Sequence, residues 1–441
     1  MNDYDRKHIW HPYASLKNPP PVRLVKSASG LELTLENGAK LVDAVSSWWC
    51  TAHGHSHPAI TEAIRKQSEK LSHVMFGGFT HEPAIELAQH LARIVPAGLD
   101  RVFFADSGSI AVEVAVKMAI QYQQAKGRPE RGRMLTVKGG YHGDTACAMA
   151  LSDPDGMHVL FRGMMPQHFF AEKPSVPLRG VAEGGEDAEA RLEAEIRAME
   201  RIADEHSGEI AGVICEPIFQ AANAMNFYDE RYLLAMRKIC DEHDFVLVFD
   251  EIAAGFYRTG PRWAHSRAGI APDVMTIGKA LTGGHITLAA TMVSGEVAET
   301  ISNGPVSAFM HGPTYMANPL ACAAANASLE LFAAGNYAAK VADIESGFRS
   351  GLAAVDLANP NVRGVRILGA AAVIEVGRLP AREDIERVID ESGIWLRPFA
   401  NFIYAMPPLV TDDATVARIA AAMTELAACP PGPEAAGDFH E

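Results

Sequence analysis

No apolar run in this 441-residue sequence reaches the roughly 20 residues that a membrane-spanning helix requires; runs such as FVLVF are strand-sized. Cysteine is scarce and dispersed. Cys50, Cys147, Cys215, Cys240, Cys322 and Cys429 show no CxxC spacing, which argues against a disulfide scaffold or a thiolate metal site and for reduced thiols in a cytoplasmic enzyme. An excess of basic charge is also missing. The 39 Lys and Arg are outnumbered by 54 Asp and Glu, for a net charge of −15. That argues against nucleic acid or an anionic membrane as the main partner, since both attract basic surfaces. The opening stretch MNDYDRKHIWHPYASLKNPPP carries charges and prolines but no apolar signal-peptide core.

What is present is globular composition, 48% hydrophobic and 21% charged, with length enough for more than one domain. Strand-like runs alternate with helical patterns, which predicts an α/β fold with a mostly parallel central sheet. RVFFA (101–105), MLTVK (134–138), GVICEP (212–217), FVLVFDE (245–251) and PDVMTIG (272–278) read as strands. Helices are expected from DSGS to about residue 125, over AEARLEAEIRAMERIADEH and over RYLLAMRKICDEHD. Residues 152–187 read as irregular. Beyond residue 325 the pattern changes to hairpins and helices, starting with the helix ANASLELFAAG. A large domain over 46–325 is expected. A smaller α+β domain would be built from 1–45 and 326–441, with strand alternation around Gly30 and a turn at Asn37-Gly38. The last dozen residues read as a loose tail.

Ligands in open α/β sheets bind beyond the carboxyl ends of the strands. Asp106-Ser107-Gly108-Ser109, Tyr141-His142, Glu216, Asp250 and Lys279 all fall at such ends. Lys279 follows the apolar Val274, Met275 and Ile277, although lysine is seldom buried without a partner. Asp250 closes a run, Phe245 to Phe249, that reads as buried on both faces, where a carboxylate needs a cation, a structural ion pair or a cap. A lysine amine for an aldehyde and an aspartate for a protonated ring nitrogen are what pyridoxal phosphate needs. Gly108 and Ser109 at a helix start would suit its phosphate, although a Ser-Gly-Ser loop also serves as a plain cap. Tyr141 could stack on the ring. One ring of Trp48-Trp49 could wall a pocket, or both could be core. Arg397 is either a buried cation awaiting a carboxylate or a strand-edge arginine.

A rival of another class is HGHSHP (53–58). Its alternate His53, His55 and His57 suggest a metal-dependent hydrolase, but alternation shares a face only on a strand, and this stretch reads as a turn before a helix. No metal is expected.

The motifs HIWHPY (8–13), SSWW (46–49), HVMFGGFTHEPAIEL (73–87), DSGSIAVEVAVKMA (106–119), GYHGDT (140–145), DEIAAGF (250–256), GKALTGG (278–284) and HGPTYMANPLACAAANASL (311–329) carry a resemblance. Over nearly its whole length the chain resembles the class III, fold type I pyridoxal-phosphate aminotransferases, and within them the branch acting in biotin synthesis. The resemblance implies a cytoplasmic homodimer with shared active sites. It implies transfer of nitrogen from S-adenosylmethionine to 8-amino-7-oxononanoate, giving 7,8-diaminononanoate. Lysine as donor, or an omega-amino acid:pyruvate transamination, are the alternatives. By motif, Lys279 carries the cofactor aldehyde, Asp250 pairs with the ring nitrogen, and Glu216 supports the ring's oxygen side. Gly108 and Ser109 bind phosphate, with Pro313 and Thr314 contributed across the dimer interface. Tyr141 lies over ring and substrate. Tyr13, Trp48 and Gly312 line the substrate pocket, Arg397 binds the keto acid's carboxylate, and Arg258 lies near the same tunnel. The sequence departs from the family at Ala254 (usually Thr), Tyr257 (usually Gly), QAANAM (220–225) and His285. Ala254 and Tyr257 are expected to reshape the donor side of the pocket.

Overall fold

The computed structural model describes residues 2–17, 19–222 and 225–433. Two departures noted above, Asn223 and Ala224 within QAANAM, and tail residues 434–441 lie outside that set. A central seven-stranded sheet runs in the order Arg101–Ala105, Ala289–Val293, Val274–Ile277, Val246–Asp250, Ile210–Cys215, Arg133–Val137, Phe169–Ala171. Ladders among the last five strands are parallel. Ala289–Val293 is antiparallel to both its neighbours, so it alone opposes the other six. Its alanine-rich run gave no strand signal, and Phe169–Ala171 is a short strand inside the stretch expected to be irregular.

The middle strands are buried along their whole length, as apolar runs covered on both faces must be. The helix Gly108–Ala125 packs on the sheet through Val112, Ala115, Val116 and Ala119. Ala188–Glu205 buries only Leu192, Met199 and Ala203, which leaves its charge run in water as an amphipathic helix requires. The helix expected within ANASLELFAAG starts earlier, at Pro319. Asn318 caps it by accepting from the N–H groups of Leu320 (3.0 Å) and Ala321 (3.3 Å), and a proline at the first turn needs no N–H partner.

Val25–Ser29, Glu32–Leu35 and Lys40–Asp43 form an antiparallel meander. Ile394–Trp395 joins it in parallel beside Lys40–Asp43, so distant parts of the chain share one sheet. Val362–Leu368, Ala371–Val376 and Phe402–Ala405 form a three-stranded antiparallel sheet. Helix Asp413–Ala428 packs against Tyr337–Gly351 and Arg382–Ser392. Among the described residues no helix is long and apolar enough to cross a membrane.

Candidate active site

The parallel ladder of Val246–Asp250 with Val274–Ile277 pairs Asp250 with Thr276. Lys279 therefore leaves the neighbouring strand just beyond Asp250. Both line one cavity of about 150 Å³ at the carboxyl ends of the strands, together with Gly108, Ser109, Tyr141 and Glu216. Trp49, His142, Gly143, Ile252 and Ala253 complete its wall. The sequence placed the first six, along with His142 at a strand end and one ring of Trp48-Trp49 as a wall; the structure adds Gly143, Ile252 and Ala253.

Asp250 is 3% exposed and well supplied with donors. Its Oδ2 faces His142 Nδ1 at 2.7 Å, and its Oδ1 accepts from the Ile252 N–H and the Thr276 hydroxyl, each at 3.1 Å. Burial works against a charge on His142, but the bond to Asp250 and the fields of Asp250 and Glu216 outweigh it and raise the imidazole pKa. The sequence places His142 at a strand end beside Tyr141 but carries no local signal of its bond to Asp250.

Lys279 has φ 44°, a left-handed conformation that L-residues avoid, and its Nζ lies 5.2 Å from the Trp49 ring centre. Burial pushes the Lys279 pKa down, opposed by Asp250 and Glu216. A larger share of neutral amine follows, the form that acts as nucleophile and base. Glu216, one residue past its strand, accepts from the Tyr141 N–H at 2.9 Å and the Ala221 N–H at 3.1 Å. Burial, with Asp250 adding and His142 opposing, raises its pKa to about 7.

The helix Gly108–Ala125 opens into this cavity, with Ser107 as its cap. First-turn N–H groups have no intrahelical partner and favour an anion. Gly143 presses on this turn: a Cβ there would lie 2.1 Å from Ser109 Oγ, and its φ is 126°, so only glycine fits. Ser109 Oγ accepts from the Asp144 N–H at 3.3 Å. Lysine amine, buried carboxylate and anion-binding helix start, facing one space, fit a phosphorylated pyridine aldehyde.

Beyond Tyr141 the contacts continue outward. Its hydroxyl and that of Tyr13 both donate to Asp144 Oδ2, at 3.0 and 2.9 Å. His158 reaches the other oxygen of Asp144 at 2.8 Å and holds that carboxyl below its usual range, against burial. Tyr13 meets Trp48 edge-on at 6.3 Å, and the Arg397 guanidinium lies 4.6 Å over the Trp48 ring. Arg397 makes no ion pair with a carboxylate among the described residues. Of the two tryptophans it is Trp49 that walls the cavity; Trp48, expected at the substrate pocket, is 42% exposed and lies against Arg397 and Tyr13.

Other expected residues lie elsewhere. Arg258 is set behind the wall: 3% exposed, it donates to the carbonyls of Ala370 (3.0 Å) and Pro407 (2.8 Å), and burial lowers its pKa to about 9. Gly312, Pro313 and Thr314 are absent from the cavity of their own chain, and Gly312 and Thr314 are exposed. Ala254 and Tyr257 do not border the cavity. Ala254 is core, and Tyr257 packs against Phe332 and Tyr337. The three alternate histidines diverge. His53 bonds Tyr337 and Ser328, His55 faces Asp43, and His57 caps the helix Pro58–Lys70. The strand that would align them on a metal is not there.

The model of the class III aminotransferases matches residues 13–427. The adenosylmethionine-8-amino-7-oxononanoate aminotransferase of Buchnera aphidicola subsp. Acyrthosiphon pisum is 44% identical over 418 residues, 94% of this chain and 95% of that protein. The Mycobacterium leprae enzyme of the same name is 45% identical over 431 residues, 96% of this chain and 95% of its own. The crystal structure of the Methanocaldococcus jannaschii enzyme of that name superposes with a TM-score of 0.84 at 30% identity, covering 96% of this chain and 97% of that one. An omega transaminase of Pseudomonas jessenii, in complex with PMP, superposes with a TM-score of 0.88 at 25% identity, covering 97% of both chains. With these likenesses spanning nearly its whole length, and a lysine facing a buried aspartate at the strand ends, the chain belongs to the class III aminotransferases.

Proposed function

We propose that this chain is a pyridoxal 5′-phosphate-dependent transaminase of biotin synthesis, taking nitrogen from S-adenosylmethionine and giving it to 8-amino-7-oxononanoate. The observation that carries the reading is Lys279 and Asp250 sharing one cavity. The specific substrates rest on 44–45% identity to enzymes of that name. Bound there, the cofactor supplies an aldehyde and a ring that accepts electrons. Asp250, held by three donors, would keep the ring nitrogen cationic. Gly108 and Ser109 would hold the phosphate. Tyr141 and Glu216, joined through the Tyr141 N–H, would fix the ring from its face and its oxygen side. Lys279 would take the proton from the donor's alpha carbon and deliver it, on the same face, to the carbon of the cofactor's former aldehyde, with the reverse for the acceptor.

Arg397 would bind the acceptor's carboxylate. It stands on Trp48, while Lys279 stands by the next residue, Trp49, and with no ion pair among the described residues it is free to take a carboxylate. Tyr13 and Trp48 would line the substrate pocket beside it. Gly312, Pro313 and Thr314 would serve the site of a second subunit, which makes a homodimer part of the proposal. The reaction would take place in the cytoplasm, consistent with six free cysteines.

The test is a half-reaction. Cofactor-loaded enzyme is mixed with S-adenosylmethionine or with lysine, separately, and its visible absorption followed. Bleaching by S-adenosylmethionine alone is expected. Bleaching by lysine alone reassigns the donor, and bleaching by neither, with turnover of an omega-amino acid, removes the substrate assignment.

A further inference from the structure

Ser46, Ser47, Trp48 and Trp49 hold φ of 48, 46, 62 and 72°. Four consecutive left-handed residues, none of them glycine, form a strained turn, because each Cβ crowds the following carbonyl oxygen. Such strain persists only where the surroundings over-determine it. This turn carries Trp48 under Arg397 and Trp49 beside Lys279.

Asp43 is the hub of what holds it. It is fully buried at the end of the strand Lys40–Asp43. Its Oδ1 accepts from the Val45 N–H at 3.2 Å, ahead of the turn. Its Oδ2 accepts from the Ser47 hydroxyl at 2.7 Å, inside the turn, and faces His55 Nε2 at 2.9 Å. The Ser46 hydroxyl adds a bond to the Met406 carbonyl at 2.5 Å. His55 has a rigid seat. Its backbone exchanges two hydrogen bonds with Gly30, at 3.1 and 2.7 Å, and a Cβ on Gly54 would lie 2.8 Å from the Gly30 carbonyl oxygen. The histidine motif HGHSHP thus meets the tryptophan motif SSWW through one carboxylate.

We propose that Asp43 and His55 are positioning residues: they lock the left-handed turn so that Trp48 seats Arg397, and thereby set affinity for the carboxylate-bearing acceptor. The proposal rests on Arg397 binding that carboxylate. A purely structural ion pair would affect folding stability alone, or both substrates alike. A positioning pair acts on the acceptor: Trp48, 42% exposed, depends on the turn for its place under Arg397, whereas Trp49 beside Lys279 is buried and also held by packing against Tyr404.

The experiment compares holoenzyme carrying His55→Leu, His55→Gln or Ser47→Ala. Leucine keeps volume without a donor, whereas the glutamine amide can still donate to Asp43. His55→Leu should raise the KM for 8-amino-7-oxononanoate about tenfold or more, the size of one lost hydrogen bond to a charged group. The KM for the donor and kcat should stay within about threefold. His55→Gln should restore most of the loss, and Ser47→Ala should shift the same KM by less. Near-ultraviolet circular dichroism of the tryptophans should change in His55→Leu and return with His55→Gln. Equal rises for donor and acceptor, glutamine no better than leucine, or an unmoved acceptor KM would each overturn the proposal. If His55→Leu does not fold, Ser47→Ala decides, and parental KM with a parental tryptophan spectrum overturns it. If the parent enzyme does not aminate 8-amino-7-oxononanoate, the substrate assignment has failed instead. The tryptophan spectra then decide the clamp, and a His55→Leu spectrum identical to the parent's refutes it.

Discussion

Replacing His142 by alanine removes one of three donors to Asp250 and leaves the shortest contact, at 2.7 Å, without its partner. The carboxylate sits 3% exposed, so water cannot take over at little cost. A hydrogen bond to a charged group is worth about 1.5–3 kcal/mol, which corresponds to about 10- to 150-fold in an equilibrium or rate constant. The two remaining donors, the Ile252 N–H and the Thr276 hydroxyl at 3.1 Å, keep the carboxylate in place but cannot compensate. The loss should fall on whatever needs Asp250 against the ring nitrogen: cofactor affinity and kcat, rather than the KM of either substrate. The assay is absorbance titration of cofactor-free protein with pyridoxal phosphate, followed by single-turnover kinetics with the donor. His142→Asn separates charge support from lost volume. Its amide can occupy the place of Nδ1, so it should recover most of the affinity, although it also lacks the imidazole ring. Parental cofactor affinity and turnover in His142→Ala would refute the argument and leave Thr276 and Ile252 as sufficient support.

Arg397→Ala should raise the KM for the keto acid by about 10- to 100-fold, the range of a lost charge-assisted pair, with a much smaller change for the donor. Equal changes in steady-state kinetics would mean that Arg397 does not bind that carboxylate. Lys279→Ala and Thr314→Ala subunits, each impaired alone, should regain activity when unfolded and refolded together, because a mixed dimer holds one site with both residues intact; no gain in the mixture would remove the shared site. His53 is buried between Tyr337 and Ser328, and burial, with the nearby His57, His285 and Lys340 adding, lowers its pKa to about 3. As pH falls below about 6.5 the unfolded chain binds a proton that the native state refuses, so stability is present above that pH and is lost toward pH 3 at about 1.4 kcal/mol per unit. His53→Gln should flatten that slope in urea unfolding midpoints between about pH 6.5 and 4.5; an unchanged slope would mean that His53 does not drive it.

Much of the central sheet was legible from sequence because its signals are local. A buried parallel strand is a short unbroken apolar run, and FVLVF and VMTI announce themselves this way, as do the residues that follow them. Ala289–Val293 was illegible because its alanines carry little strand preference; only pairing on both sides makes it a strand. The helix start before Leu320 needed its Asn318 cap to be seen.

In the site, the sequence by itself determined the chemistry: a lysine and a carboxylate at neighbouring strand ends, glycines and serines opening a helix, and motifs that name a family. The tertiary structure decided which side chains meet. His142 and Asp250 are 108 residues apart along the chain, and no local rule links them. Arg258 went behind the wall, the three histidines of one motif went to three partners, and Trp49 rather than Trp48 faced the cavity. The physical reason is that period and propensity act over a few residues. A hydrogen bond to a buried carboxylate depends on strand register, on packing, and on a turn bent against its own preference.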